Sequence, residues 1–562
     1  MKKFWRIILV FCLIGTMICG CGQKEESYSK ENYEEELTID VFDTLANYQG
    51  IQTGWFAKEI EDRFNMKLNI IAPNVSYNGD VLQDVRAASG SIGDIVIVSA
   101  ESGALEQMAE NGLLLDMTEY IEDKDIYEKY KSQIDNLNEG LGGIYAIPSE
   151  ISTSANEVSN ILEPTYAPYI RWDLYKELGY PKISTLEDLL PILKQMQELC
   201  PKSDSGKDVY AFSFFSDWDD NLMNAAKQPC CFYGYDECGF ALRSADGEDY
   251  IDILDEDSLY MRVLEFYFEA NSMGLVDPKS RTQSYADVFA KYQDGAVLFS
   301  PWPYQGQSAY NTTENLESGK AFMAADIEDM SIYVEGSKIN GNTKTVIAVG
   351  NSCKDPDRMV DFIDFLYSDE GIYLNQASSS GAAAGIQGIM WDIKGSEIAL
   401  TDLGQKIFVD KEDTILPGYK DMGTYLDGIS QLNFTAVSLK EKDTNGNTYT
   451  YLLWDSEKNK EKSEIEEDWS EKNGGATCTL DMLDAEGKIA LANATDNTSA
   501  VEDSEIKEIR SACKKIIVEY SWDMVFAGSK EEFDSLKAEM ISICKSLGYD
   551  KVYEYDITKY NE

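Results

Sequence analysis

Residues 37–71 read LTIDVFDTLANYQGIQTGWFAKEIEDRFNMKLNII and predict a strand, a helix and a second strand in succession. The first strand is indicated by its β-branched residues and by the Asp-Thr pair that ends it. The helix is indicated by Phe56, Ile60 and Phe64, which recur at the spacing of one helical face. The segment KLNIIAP (67–73) predicts the second strand, so this stretch begins an α/β fold.

The same alternation continues and predicts the fold class. Helical periodicity in VLQDVRAASGSI (81–92) is followed by a strand in GDIVIVSA (93–100). Strands that alternate with helices are typical of an α/β protein with a parallel, doubly wound sheet. Ligands of such sheets lie beyond the carboxyl ends of the strands. Four side chains near these ends are therefore candidate ligand-binding residues: Asp43, Asn47, Tyr48 and Glu101.

A second α/β unit is predicted after Pro148. We expect the chain to cross from one lobe to the other between residues 148 and about 153, because an apolar strand is broken there by proline. Glu150 lies in this crossing and is a further candidate ligand-binding residue. Downstream, a helix with a stripe of leucines is predicted to begin with a capping box formed by Ser184 and Glu187.

The N-terminal stretch MKKFWRIILVFCLIGTMICGCGQKEESYSK indicates export. Basic residues precede an apolar run that is shorter than the ~20 residues of a membrane span, and small residues follow, as in a secretory signal. The segment Ile-Cys-Gly-Cys at 18–21 resembles the lipobox of bacterial lipoproteins. That resemblance implies that residues 1–20 are removed, that Cys21 is diacylated, and that residues 21–36 form a flexible tether. The alternative is an uncleaved anchor helix.

Composition limits the classes of function. The chain has 562 residues, a net charge of −51 and no histidine. This length is too great for one core and predicts at least two domains or lobes. The acidic excess argues against a nucleic-acid partner. The lack of histidine excludes Ser-His-Asp and Cys-His catalysis and removes the commonest nitrogen ligand of metals, so we expect neither a metal site nor a cofactor. A carboxylate pair, as in glycosidases, stays open.

Two local patterns have more than one interpretation: one could contain a disulfide, and the other could be a calcium-binding loop. Residues 229–238, PCCFYGYDEC, would allow a disulfide from Cys238 to Cys230 or Cys231, and free buried thiols are the alternative. Residues 443–448, DTNGNT, are as rich in oxygen as a calcium loop. The glycine is at the wrong position for such a loop, so a hairpin turn is predicted instead.

The stretch 299–306, FSPWPYQG, places two aromatic side chains on stiff backbone at the end of a strand. Proline fixes φ and has no N–H, so the strand cannot continue through it. Trp302 and Tyr304 are therefore candidates for contact with a ligand. Trp218 ends another strand, in SDWDD, and is also a candidate. Its neighbour Asp219 is either a ligand contact or the cap of the next helix.

The order of motifs over nearly the whole mature chain resembles the family 1 extracellular solute-binding lipoproteins of bacterial ABC importers, the group related to maltose-binding protein. The resemblance rests on these segments, in chain order: IYAIPSE, RWDLYKELGYPKISTLEDLLPIL, LEFYFEANSMGLVDPKS, FAKYQDGAVLFSPW, TVIAVGNSCKDPDRMVDFIDFLYSDEG and EEFDSLKAEMISICKSLGYDKVYEYD. Residues 401–498 depart from the pattern. We interpret them as an insertion whose charged run, 455–472, is solvated.

The resemblance implies a two-lobed, periplasmic-binding-protein-like fold of type II with a ligand cleft between the lobes. The implied boundaries are residues 37–149 and about 300–349 for lobe 1, and residues 150–299 and about 350–562 for lobe 2. Hinge motion is then expected near Pro148, at 299–301 and around Gly350.

The implied function is that of a receptor, not an enzyme. It would be a lipid-anchored monomer on the extracellular face of the cell membrane that binds an oligosaccharide and delivers it to an ABC permease. In maltose-binding-like proteins a Pro-Trp pair after the return strand stacks on a pyranose ring, and Pro301–Trp302 matches that position. Apolar sugar faces suit an indole, and carboxylates suit the hydroxyls. The alternatives are a carbohydrate-active enzyme with a carboxylate pair and a receptor for a polyamine or other cation.

Overall fold

The computed structural model describes residues 28–75, 79–154, 157–377, 383–395, 397–492 and 502–559. The predicted signal peptide and the predicted lipidation site Cys21 lie outside these residues. No helix in the described part of the chain combines the length and the apolar character needed to cross a bilayer.

The described residues form sixteen strands and twenty-one α-helices. The strands are β1 (Leu37–Asp43), β2 (Gly50–Ile51), β3 (Met66–Ile71), β4 (Ile95–Val98), β5 (Ile147–Ser149), β6 (Tyr169–Arg171), β7 (Tyr235–Cys238), β8 (Ala241–Ser244), β9 (Tyr250–Asp252), β10 (Phe299–Ser300), β11 (Phe322–Ala324), β12 (Ile332–Glu335), β13 (Asn342–Val349), β14 (Trp391–Lys394), β15 (Glu397–Leu400) and β16 (Ile489–Ala492). The helices are α1 (Gly54–Phe64), α2 (Gly79–Ala88), α3 (Ala104–Glu110), α4 (Thr118–Ile121), α5 (Asp125–Leu137), α6 (Trp172–Glu177), α7 (Leu189–Leu199), α8 (Asn224–Lys227), α9 (Leu259–Ser272), α10 (Tyr285–Gln293), α11 (Gln307–Tyr310), α12 (Thr313–Glu317), α13 (Pro356–Leu366), α14 (Asp369–Asn375), α15 (Asp402–Phe408), α16 (Asp455–Lys458), α17 (Glu464–Lys472), α18 (Thr479–Ala485), α19 (Ser504–Val525), α20 (Lys530–Leu547) and α21 (Tyr549–Lys559).

The first lobe is built on a six-stranded sheet of order β2-β3-β1-β4-β13-β5. Strands β3, β1 and β4 are parallel, with Val41 opposite both Ile70 and Ile95. The predicted strand–helix–strand alternation is therefore confirmed at the centre of the sheet. The sheet is mixed rather than wholly parallel, because β13 returns from the other lobe and pairs antiparallel with β4 and β5.

The second lobe has a smaller central sheet. Strand β6 lies between β10 and β11 and pairs antiparallel with both, so that Ile170 faces Phe299 and Met323. Single bridges from Tyr210 to Val297 and from Phe212 to Val276 add two more segments in parallel. These pairings place the end of β10 beside the segment that leads to Trp218.

Two large hydrophobic cores define the lobes and correct the predicted boundaries. Representative residues of the first core are Val41, Trp55, Ile97, Ile347, Phe362, Tyr425 and Trp454. Representative residues of the second are Tyr169, Phe212, Leu264, Trp302, Trp469, Trp522 and Val552. Residues 300–334 thus pack in lobe 2, not lobe 1, and residues 350–454 pack in lobe 1, not lobe 2. The cause is long-range packing. Strand β10 pairs with β6 in lobe 2, and the ring centroids of Phe362 in α13 and Phe64 in α1 lie 5.7 Å apart in lobe 1.

The predicted tether is partly wrong, because residues 28–36 pack on lobe 1. The Tyr33 hydroxyl donates to Asp361 at 2.7 Å, and the Arg358 guanidinium lies over the Tyr33 ring and donates to the Glu35 carbonyl at 2.8 Å. Tyr28 lies 5.1 Å from the ring of Phe64. Any free tether within the chain therefore ends before Tyr28.

The prediction that the charged run 455–472 is solvated is also wrong for α17, which packs on the second core. The earlier part of the predicted insertion, from residue 401 to Trp454, belongs to the first core. In α17 the Trp469 indole is buried and donates to the Ala324 carbonyl at 2.8 Å, and Asp468 accepts from the Trp172 indole at 2.9 Å. The charged residues of this run occupy the outer face of a packed helix.

Three crossings join the lobes, at 149–158, 335–342 and 454–465. The first agrees with the prediction near Pro148. The predictions at 299–301 and Gly350 are wrong, because these residues lie inside lobe 2 and lobe 1 respectively. The backbones of the first two crossings are hydrogen bonded to each other. The Ser337 N–H donates to the Glu157 carbonyl at 2.7 Å, and the Ser159 N–H donates to the Glu335 carbonyl at 2.9 Å.

Two local predictions have clear outcomes. The capping box before α7 is formed by Thr185 and Asp188, one residue beyond the predicted pair Ser184 and Glu187. All eight cysteines in the described residues, including Cys238, are free thiols, which agrees with the second of the two alternatives.

Candidate functional site

The loop after β10 is held in one conformation by its own backbone. The Ser300 hydroxyl donates to the Trp302 carbonyl at 2.8 Å and accepts from the Trp302 N–H at 3.2 Å. The Gly306 N–H donates back to the same carbonyl at 3.2 Å. The prolines on both sides of Trp302 remove further freedom. The indole of Trp302 is therefore positioned by a rigid turn at the end of a central strand.

Six aromatic side chains meet at this turn, and we call them the aromatic cluster: Phe215, Trp218, Tyr285, Phe289, Trp302 and Tyr304. The Tyr304 ring is stacked on Trp302 with centroids 5.6 Å apart, and Trp218 meets Trp302 edge-on at 6.0 Å. Tyr285 is stacked on Trp218 at 4.6 Å. The three aromatic residues predicted from strand ends are thus brought together in lobe 2.

The cluster has a buried centre and an accessible rim. Trp302 is only 7% exposed, whereas Trp218, Tyr285 and Tyr304 are half-buried. Sequence reasoning missed Tyr285, which begins α10 and is held by a hydrogen bond from its N–H to Asp217 at 2.8 Å. The capping box that precedes it was the only local signal of its position. Trp218, Tyr285 and Tyr304 are therefore the three of these rings that are most open to solvent.

Asp219 already has two partners within the protein. Its carboxylate accepts from the Trp522 indole at 2.7 Å and from the Asn224 N–H at 2.8 Å, where α8 begins. Burial raises its pKa to about 6, an increase that these hydrogen bonds oppose. The arrangement is that of a helix cap, the alternative noted from the sequence.

The candidates at the end of β1 are engaged in local structure. Asp43 is fully buried and accepts from the N–H groups of Leu45 and Ala46 at 2.9 and 3.1 Å. Burial raises its pKa to about 6. The Tyr48 hydroxyl donates to the Ile51 carbonyl at 2.7 Å, and Asn47 is exposed. Of these three, Asn47 is the side chain most open to solvent.

Glu101 and Glu150 lie in a charged group at the crossings between the lobes. Glu150 is exposed to solvent and accepts from the Asn342 amide at 3.2 Å. Desolvation by the surrounding protein, followed by the charge of Glu335, raises its pKa. The Oε1 atom of Glu101 is buried without a hydrogen-bond partner among the described residues. Burial alone would lower the pKa of Lys344, but Glu335, Asp236 and Glu101 raise it above its usual value. Side chains of both lobes therefore share one electrostatic environment.

Tyr166 packs against the core of lobe 2 and is influenced by charges of the second crossing and by the aromatic cluster. Burial raises its pKa, and the charges of Asp236 and Glu335 and the neighbouring Tyr304 raise it further. Tyr304 belongs to the aromatic cluster and Glu335 to the second crossing. We define the cleft as the space between the lobes that is bounded by the aromatic cluster, Tyr166 and the charged residues at the crossings.

The described residues include no group of three or more His, Cys, Asp or Glu side chains arranged to hold a metal ion. The oxygen-rich run DTNGNT is a hairpin turn, as predicted. Asp443 accepts from the N–H groups of Asn445 and Asn447 at 2.9 and 2.8 Å, and the flanking Lys442 and Thr448 form a bridge. Its carboxylate is used to close the turn.

Comparison with known sequences finds no matching family model and no matching curated protein. Comparison with solved structures finds similar folds over nearly the whole chain. The alginate-binding protein AlgQ2 has a TM-score of 0.61 at 15% identity and covers 94% of this chain and 99% of its own. The FusA substrate-binding protein of S. pneumoniae, in complex with fructo-nystose, has a TM-score of 0.59 at 12% identity, with coverages of 93% and 99%. A solute-binding protein from Bifidobacterium longum infantis, described as binding HMO, has a TM-score of 0.53 at 14% identity, with coverages of 94% and 99%.

The chain has the fold of an ABC-transporter solute-binding protein. The two-lobed α/β architecture predicted from the sequence is thereby confirmed. The aromatic cluster lies on lobe 2, and Glu101 lies on lobe 1 after β4. The roles of the individual side chains in ligand binding stay predictions.

Proposed function

We propose that the protein is the lipid-anchored, extracellular solute-binding component of an ABC importer, and that it captures an oligosaccharide in the cleft. The observation that carries this proposal is the aromatic cluster at the strand ends of lobe 2, with its partly exposed rim of Trp218, Tyr285 and Tyr304. Pyranose rings present apolar faces that stack on aromatic rings, and their hydroxyls need hydrogen-bonding groups at the edges. The similar folds include proteins described as binding alginate and fructo-nystose, which supports a carbohydrate ligand.

In this proposal Trp218, Tyr285 and Tyr304 form the surface on which the sugar ring lies, and Trp302 supports them from behind. Glu101 and Glu150 accept hydrogen bonds from hydroxyls, and Asn47 contributes from the end of β1. Binding brings the lobes together about the three crossings, and the closed form passes the sugar to the permease. The lipid on Cys21 would keep the receptor beside that permease.

A polyamine or other cation fits the cleft less well. Lys338 and Lys344 lie among its carboxylates, and Lys227 pairs with Glu237 at 3.1 Å on the lobe 2 side. A polycation would have to displace these lysines, whereas a neutral polyhydroxylated ligand can use charges of both signs as hydrogen-bond partners.

Thermal-shift measurements with the chain lacking residues 1–21 test the proposal. The panel contains oligosaccharides, amino acids and polyamines, each at a high concentration. A ligand at ~100 times its Kd adds about 2.7 kcal/mol to the free energy of unfolding. We expect at least one oligosaccharide to raise Tm and the polyamines to have no effect. A shift with polyamines alone would reject the carbohydrate proposal.

The enzyme alternative would use Glu150 and Glu335, because the charge of Glu335 raises the pKa of Glu150. A sugar that raises Tm should be recovered intact after prolonged incubation with the protein. New reducing ends in excess of one per protein molecule, abolished by Glu150→Gln, would favour the enzyme.

A further inference from the structure

Two cysteines face each other where the C-terminal helices α19 and α20 pack together in lobe 2. Cys513 of α19 and Cys544 of α20 are both 0% exposed. The Cys513 Sγ lies 3.7 Å from the carbonyl oxygen of Cys544, and the Cys544 Sγ lies 3.9 Å from the carbonyl oxygen of Cys513. Because each sulfur lies against the backbone of the other residue, the two side chains point toward each other across the helix pair.

The two thiols also interact directly. The hydrogen bond between them lowers the pKa of Cys513, whereas the same bond, together with burial, raises the pKa of Cys544. One sulfur is therefore prepared to lose its proton while the other keeps it. The thiolate is the form of cysteine that attacks a disulfide. Cys513 is accordingly the sulfur that would react first, with Cys544 as its neighbour in the second step.

Among the cysteines that the structure describes, no other two have thiols hydrogen bonded to each other. The Cys230 thiol donates to the Ala226 carbonyl at 3.7 Å, and the Cys231 thiol donates to Asp236 at 3.6 Å. These two thiols are neighbours in the sequence, but each has a different partner. The arrangement of Cys513 and Cys544 is thus not a general result of having eight cysteines in one chain.

The surroundings of the pair favour a covalent bond over two thiols. Ile517 of α19 and Met540 of α20 lie one helical turn from the sulfurs and are also 0% exposed. A thiol is only a weak hydrogen-bond donor, so the contact between two thiols holds the helices together weakly. A bond between the sulfurs would join the helices and close the loop 513–544, which restricts the unfolded chain.

We propose that Cys513 and Cys544 form a disulfide once the protein has left the reducing cytoplasm. Two S–H bonds break and one Sγ–Sγ bond forms, and two electrons and two protons are released. The oxidant is the disulfide of an extracellular thiol oxidoreductase, which takes up both and becomes a dithiol. The Cys513 thiolate attacks this disulfide to give a mixed disulfide, and the Cys544 sulfur then displaces the oxidoreductase.

This inference rests on the extracellular location in the proposed function, because thiols in the cytoplasm are kept reduced, and it does not depend on the ligand. Both sulfurs are buried in the folded lobe, so the exchange takes place before α20 has packed on α19. The bond then holds α19 in place. Helix α19 carries Trp522, whose indole donates to Asp219 at 2.7 Å, next to Trp218 of the aromatic cluster. The disulfide would therefore stabilise the frame behind the candidate site.

Peptide mapping tests the cross-link. The full chain is taken from the membrane fraction of cells that express it, and the chain lacking residues 1–21 is refolded in a buffer of reduced and oxidised glutathione. Both are alkylated in denaturant and digested with trypsin. We expect residues 511–514 (SACK) joined to residues 538–545 (AEMISICK) in both preparations.

The two preparations separate the cross-link from the location. Alkylated thiols at Cys513 and Cys544 in the refolded chain would overturn the inference and leave the proposed function standing, because ligand binding and location are measured independently. The linked peptide in the refolded chain, with free thiols in the membrane-bound chain, would support the cross-link and contradict the extracellular location.

Thermal unfolding with and without a reductant measures the effect of the bond. Reduction should lower the Tm of the oxidised wild-type protein by about 5 °C, since it frees the loop in the unfolded chain. The double variant Cys513→Ala/Cys544→Ala should have the same Tm in both conditions. Cys478→Ala, at another buried cysteine of lobe 2, is the control and should respond like wild type. A double variant that still responds to the reductant, or a control that no longer does, would overturn the assignment.

Discussion

Trp302 belongs both to the core of lobe 2 and to the candidate site. It is 7% exposed and is packed against Phe215, Trp218 and Tyr304. Trp218 is half-buried and presents more of its ring to the cleft. The two indoles should therefore respond differently to truncation.

Trp218→Ala is expected to weaken oligosaccharide binding by about 2 kcal/mol, roughly 30-fold, with a smaller loss of folding stability. Trp302→Ala is expected to lose about 3 kcal/mol or more of stability as well as affinity, because it leaves a cavity in the core. Titration calorimetry and urea unfolding of both variants measure the two effects, with Tyr127→Ala, on α5 of lobe 1, as the control. Wild-type affinity in Trp218→Ala would show that this indole is only structural.

Asp43 predicts a specific dependence of stability on pH. Burial raises its pKa from 3.8 to about 6 in the folded protein, so between these values the folded state holds a proton that the unfolded state has lost. The contribution of Asp43 to the free energy of unfolding therefore falls as pH rises from 4 to 6. Relative to wild type, Asp43→Asn should gain about 2 kcal/mol over this range.

Urea unfolding of both proteins at pH 4, 5, 6 and 7 measures this difference. The comparison isolates Asp43, because other carboxyl groups titrate alike in both proteins. Parallel stability curves from pH 4 to 7 would contradict a raised pKa at this position.

At the scale of elements, packing of residues 28–36 on α13 is expected to stabilise the folded protein, and truncation tests this. A chain that begins at Tyr28 keeps the hydrogen bond from Tyr33 to Asp361 and the contact of Arg358 with Glu35. A chain that begins at Leu37 loses them and uncovers Phe64. We expect the longer chain to be as stable as one that begins after Cys21, and the shorter chain to lose about 2 kcal/mol or more in urea unfolding. Equal stability of all three chains would mean that residues 28–36 are only a tether.

The elements themselves were largely predictable, whereas their assignment to lobes was not. Periodicity within 37–98 is a local property, and it predicts β1, α1, β3 and β4 where the structure has them. The lobe to which α13 belongs depends on Phe362 meeting Phe64 across the fold, and no local pattern encodes that contact. The same limit explains why the charge of α17 predicts a solvated segment although the buried indole of Trp469 packs it on lobe 2.

For the candidate site as well, local sequence patterns predict some residues, and residues placed by long-range contacts are missed. Trp218 and Trp302 follow from the rule that strand ends carry ligand contacts, because each directly follows an apolar run. Tyr285 does not follow from it, because its position in the cluster depends on a hydrogen bond from its N–H to Asp217, which is distant in the sequence.

At the scale of the whole molecule, the proposed lipid anchor predicts that the protein is attached to the cell membrane. Cys21→Ala should leave the protein as an unprocessed precursor or release it from membranes, because the lipid would be its attachment. Cell fractionation with an antibody, compared with the control Cys19→Ala, measures this. A Cys21→Ala protein that is cleaved and remains on membranes like wild type would rule out lipidation at that residue.

The central claim is that the cleft between the lobes binds a neutral oligosaccharide. Isothermal titration of the chain lacking residues 1–21, with the oligosaccharide that gives the largest thermal shift, tests it most directly. We expect one sugar per protein and an affinity that changes less than about twofold between low and high salt, because a neutral ligand is not screened. No heat of binding with any oligosaccharide, together with a polyamine that binds and weakens steeply as salt rises, would contradict the claim.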